Sequence, residues 1–86
     1  MAEILYANGA LEARVPAKGK RFTLEELQAI VGGYIGIFQL PDHRFMVLGE
    51  ESALADLPLN RAASELVTSQ HVDIVGDVLV CRRAEL

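Results

Sequence analysis

The chain has 86 residues with 51% hydrophobic side chains, no tryptophan, two tyrosines and three phenylalanines. That is enough for one domain, residues 1–86, with an aliphatic core, and it leaves no room for a second. Eight basic against twelve acidic residues give a formal charge of −4, which disfavours nucleic acid as a partner because phosphate neutralisation supplies most of that affinity.

Composition also sets the expected surroundings. Cys81 stands alone in an apolar run, so neither a disulfide framework nor a cysteine metal site is expected. Met1–Tyr6 lacks the basic segment of a signal peptide. No apolar run approaches the roughly eighteen residues of a membrane span. The expectation is a protein of the cytoplasm, without membrane contact and without a cofactor.

In chain order, the first elements are two short strands, 3–7 and 10–15, around Asn8-Gly9. Asn-Gly is a strong hairpin signal, because a type I′ turn needs positive φ at both central positions. Pro16 ends the second strand, since it cannot donate to a ladder. Thr23–Val31 is predicted as a helix. Thr23 and Glu26 have capping-box spacing, Phe22 and Leu27 the spacing of a hydrophobic staple, and Leu24, Leu27, Ile30 and Val31 form one stripe. Gly32-Gly33 stops it, one glycine taking the left-handed conformation.

Tyr34–Leu40 and Arg44–Leu48 are a second strand pair around Pro41-Asp42-His43. Tyr34, Gly36 and Phe38 share one face; Ile35, Ile37 and Gln39 share the other. Two apolar faces suggest a central strand, or one whose second face meets a partner. Ser52 is a candidate cap for a short turn through Leu54. Pro58 is expected to open a second helix carrying Leu59, Ala62, Ala63, Leu66 and Val67. Val72–Cys81 reads as the last strand, with Gly76 as a bulge or close approach. The fold class is therefore α+β: a small, mostly antiparallel sheet of about five strands with two helices, in the order ββαββαβ.

Catalytic chemistry is not legible. No serine sits in a Gly-x-Ser-x-Gly elbow, and His43 and His71 fall in turns away from any triad or zinc spacing. Gly32-Gly33-Tyr34-Ile35-Gly36 follows a helix, the wrong polarity for a phosphate loop. The pair Asn60-Arg61 is the most suggestive polar feature. An arginine beside helix-terminal amides can hold a phosphate or carboxylate. The plainer reading, and the favoured one, has Asn60 capping the helix and the stem of Arg61 covering apolar surface.

Three blocks carry a family resemblance: Phe22–Ile35, Leu57–Ala63 and Asp73–Val80. In that order, and behind an opening strand pair, they resemble the family known as domain of unknown function 3846. The resemblance implies a protein encoded on bacteriophages, plasmids or conjugative elements, acting in a bacterial host cytoplasm. It implies no reaction and carries over no catalytic residue.

Together these readings point to a non-catalytic binding protein. The leading expectation is an accessory factor that binds a host or element protein and inhibits a host defence complex, in the manner of an anti-CRISPR. A free edge strand, such as that of the N-terminal hairpin, would extend a partner's sheet or pair with its own copy as a homodimer. The alternative is an oligomeric sponge for a nucleotide signal, with Arg61, Asn60 and Tyr34 as its contacts, the arginine binding phosphate and the tyrosine stacking on a base. A DNA-binding regulator comes last, on charge.

Overall fold

The computed structural model describes residues 2–51, 56–67 and 73–86. Five strands, Ala2–Leu5 (β1), Leu11–Arg14 (β2), Ile35–Gln39 (β3), Arg44–Gly49 (β4) and Val78–Arg82 (β5), form one sheet in the order β2-β1-β5-β4-β3. Every pairing is antiparallel. Two helices, Leu24–Val31 (α1) and Arg61–Leu66 (α2), complete the expected ββαββαβ order.

The pleat sends alternate side chains to opposite faces, and each face carries its own core. Ala2, Ile4, Val47, Leu79 and Cys81 pack with Phe22, Leu27 and Val31 of the α1 layer. Leu5, Met46, Val78 and Val80 pack with Ala63 and Val67 of the α2 layer and with Ile74 and Leu40. The sheet is thus the middle layer, with both faces of β5 covered. All of its apolar residues from Val78 to Cys81 are buried, the continuous pattern expected of a central strand.

Helix α1 begins where its cap dictates. The Glu26 amide donates to Thr23 Oγ1 at 3.1 Å and the Thr23 amide to Glu26 Oε1 at 2.9 Å, the reciprocal pair of a capping box. Gly32, at φ +85°, closes the helix by donating to the Gln28 carbonyl, a conformation that costs a residue with a Cβ.

Several expectations are corrected. The hairpin at Asn8-Gly9 is not a two-residue type I′ turn, since only Gly9 has positive φ (+95°). Gly9 N–H donates to Tyr6 O and Tyr6 N–H to Ala10 O, so Ala7-Asn8-Gly9 is a three-residue loop with a bulge at its left-handed glycine. The loop Pro41-Asp42-His43 is built alike, with His43 at φ +71°. In each loop the middle side chain accepts the amide two residues on: Asn8 from Ala10 at 2.9 Å, Asp42 from Arg44 at 3.3 Å.

Pro58 does not open α2. The helix begins at Arg61 behind Asn60, and Leu59 instead bridges to Val75. The last strand is correspondingly shorter than the apolar run: Gly76 turns at φ +77° and β5 starts at Val78. β3 is an outer strand of the sheet, not a central one. The expectations for Ser52–Leu54, His71 and Val72 lie outside the described residues.

Candidate functional site

Asn60 is fully buried. Its Oδ1 accepts the Ala63 amide at 3.1 Å, capping α2. Its Nδ2 donates to the carbonyls of Leu5 and Gly76, each at 2.8 Å. One side chain therefore joins β1, α2 and the turn before β5, and its donors and acceptor are spent internally. The flanking backbone supports it: Asn60 N–H donates to Ile74 O, and Gly76 N–H to Pro58 O. Ser64 Oγ accepts the Ile74 amide at 2.8 Å. Arg61, next along, is exposed. Tyr34 lies elsewhere, 68% exposed at the entry to β3, its carbonyl accepting the Glu50 amide at 2.8 Å. Of the three residues expected to hold a ligand, Asn60 has no amide group left to offer one. No cavity described below is lined by any of the three.

A groove of about 340 Å³ lies between α1 and the first hairpin, lined by Ile4, Tyr6, Arg14, Glu26, Ala29, Ile30 and Asp77. Its polar side chains are engaged by neighbouring groups of the chain. Tyr6 Oη donates to Glu12 Oε1 at 2.9 Å, and Arg14 Nε donates to Glu12 Oε2 at 3.0 Å. Glu26 Oε2 accepts the Ala17 amide and Asp77 Oδ1 the Ala7 amide. The hydrogen bonds from Arg14 and Tyr6 hold the Glu12 carboxyl below its usual range, and the amides of Thr23 and Ala17 do the same for Glu26. The hydrogen bond to Glu12 pushes the Tyr6 phenol up. These three groups are displaced away from neutrality, the reverse of what a general acid or base needs.

A smaller trough of about 230 Å³ on the opposite face is lined by Ala2, Glu3, Ala13, Arg44, Val80, Cys81 and Arg82. Arg44 and Arg82 stand directly opposite one another on β4 and β5, but Arg44 Nε is engaged by Asp42 Oδ2 at 2.7 Å. The Cys81 thiol is buried and its pKa is pushed up to about 11 by burial, with the Glu85 carboxylate adding to the shift, so it is no nucleophile at neutral pH. Among the described residues no cluster of three or more His, Cys, Asp or Glu side chains is placed to hold a metal ion. No helix among them is long and apolar enough to cross a membrane.

The two sheet edges differ in chemistry. The β3 edge, Ile-Gly-Ile-Phe-Gln, has no charge and no proline. Tyr34 N-terminal to it is 68% exposed and Ile37 within it 54% exposed. The ladder places its bonds to β4 at alternate residues: Tyr34 O takes the Glu50 amide, and Leu40 N–H donates to Arg44 O. By that alternation Ile35, Ile37 and Gln39 turn their peptide groups outward. The β2 edge instead reads Leu-Glu-Ala-Arg, alternating apolar with charged residues of opposite sign. Sequence reasoning named the hairpin edge but missed β3, because a strand with two apolar faces reads as interior unless strand order is known.

No curated protein and no solved structure matches this chain. A family model described as Domain of unknown function (DUF3846) matches residues 4–85. That match spans nearly the whole sheet and both helices, and the chain belongs to this family.

Proposed function

We propose that this chain is a non-catalytic protein-binding module that takes an extended segment of a partner onto the free edge of β3. One observation carries the reading. Exposed edges are ordinarily blunted by charge, proline or a bulge, whereas β3 presents an uncharged, proline-free row with Ile37 and Tyr34 exposed beside it. Strand addition there would gain main-chain hydrogen bonds, with Ile37 and Tyr34 contributing apolar contacts on opposite faces. The net charge of −4 favours a protein over a nucleic acid. The partner is then a host or element protein in a bacterial cytoplasm, and blocking a host defence complex is the role that a small binder encoded on a mobile element would suit.

The test is Ile37→Lys, which puts a charge on the edge without touching either buried core. Wild type and I37K, gently purified from a host carrying the element, are compared by native mass spectrometry. A stoichiometric protein retained by wild type and lost from I37K, with circular dichroism unchanged, is the expected result. A partner held equally by both overturns the edge assignment. A homo-oligomer carrying a nucleotide mass would support the sponge instead.

A further inference from the structure

The β2 edge has a different grammar. Leu11-Glu12-Ala13-Arg14-Val15 reads symmetrically about its centre: apolar, acid, small, base, apolar. Leu11 and Val15 are 61% and 64% exposed. By their pairing with β1, Leu11 and Ala13 lie on the α2 face beside Leu5 and Glu3, whereas Glu12 and Arg14 lie on the α1 face beside Ile4 and Ala2.

The backbone is equally specific. Tyr6 N–H donates to Ala10 O, which makes 6 and 10 a hydrogen-bonded pair. By alternation along the ladder, Glu12 and Arg14 also turn their peptide groups towards β1. Leu11, Ala13 and Val15 then turn theirs outward, to the open side.

We propose that two copies of this chain join through β2, antiparallel, about a two-fold axis at Ala13, so that their sheets become one. Opposed residues in this register are Ala13 with its copy, Leu11 with Val15 of the second copy, and Glu12 with Arg14 of the second copy. The outward peptide groups of residues 11, 13 and 15 meet in hydrogen-bonded pairs. The charges meet in opposite-sign pairs on one face, and the exposed apolar residues meet on the other. Register is decided by charge. An axis at Glu12 would set two carboxylates face to face, and one at Arg14 would do the same with two guanidiniums; like charges directly opposed are destabilising. A closed two-fold contact also removes both copies of this edge from further pairing. The β3 edge, at the far side of the sheet, stays free, so this pairing does not depend on the partner reading.

The test is a charge swap read by sedimentation equilibrium on the full chain. Wild type is expected to dimerise, and E12R or R14E alone to weaken the dimer by about tenfold through the new like-charge pairs. The double variant E12R/R14E restores opposite-sign pairing across the axis and is expected to dimerise like wild type. As a register readout, A13C should oxidise to a covalent dimer, since hydrogen-bonded partners sit about 5.5 Å apart at Cα, within disulfide range. A17C, outside the strand, should not. A monomeric wild type, a double variant as weak as the singles, or dimerisation abolished by I37K but indifferent to the swap each overturns the proposal.

Discussion

Asn60 shows how much a single side chain can hold in a small domain. It satisfies the first turn of α2 and two buried carbonyls at once. Truncating it removes all three of these buried hydrogen bonds. Asn60→Ala is therefore expected to destabilise the fold by about 3 kcal/mol, from a lost cap and two lost buried hydrogen bonds. Arg61→Ala, at an exposed position, should stay within about 0.5 kcal/mol. Urea denaturation of both variants checks the contrast, and equal losses would remove Asn60 from its structural role. The cap was legible in the sequence, because asparagine before an apolar helical stripe is a standard signal. The two donors were not: their acceptors lie 55 and 16 residues away in the chain. Local pattern says nothing about partners brought together only by the assembled sheet.

At the scale of elements, α1 was readable almost to the residue, since capping box, stripe and terminal glycine all agree. The hairpins were readable as hairpins but not as loop types. Asn-Gly fits two-residue and three-residue loops equally well, and the choice falls to the register of the flanking strands. Gly9 at φ +95° has open space around its would-be Cβ. Gly9→Ala thus costs conformational strain and no clash, about 1 kcal/mol by urea midpoint. The second helix was placed early because Pro58 is a good first-turn residue, yet the pairing of Leu59 with Val75 holds that segment extended. The same pairing cuts short the last strand, whose apolar alternation runs on through residues that form no part of β5.

Acid sensitivity also belongs to the elements. Glu12 on β2 and Glu26 on α1 have carboxyls held below the ordinary 4.5 by hydrogen bonds present only in the folded chain. A depressed folded pKa means the unfolded chain binds the proton more tightly. Their stabilisation is therefore complete above 4.5 and is lost as pH falls through the lower folded values. The urea midpoint should decline over that acidic window. The double variant E12Q/E26Q should start lower and decline less, and an unchanged pH profile would count against these contacts.

For the whole molecule, the class and element order followed from the sequence, whereas the strand order did not. Adjacent strands in sequence form hairpins, but nothing local says that the two hairpins are joined by a strand made much later. That arrangement gives the sheet its two unlike edges: one alternating in charge, the other uncharged. It also lets the polar knot at Asn60 couple both ends of the chain.

The central position of β5 has a consequence during synthesis. The β1-β2 and β3-β4 hairpins leave the ribosome as separate ribbons, and isolated two-stranded ribbons are marginal in water. Only when Val78–Arg82 emerges can they be sewn together, by contacts distant in sequence and thus slow to form. Until then the nascent chain shows its apolar inner edges to the cell, and a ribosome stalled before this strand would hold two unjoined halves ready for a chaperone or a protease.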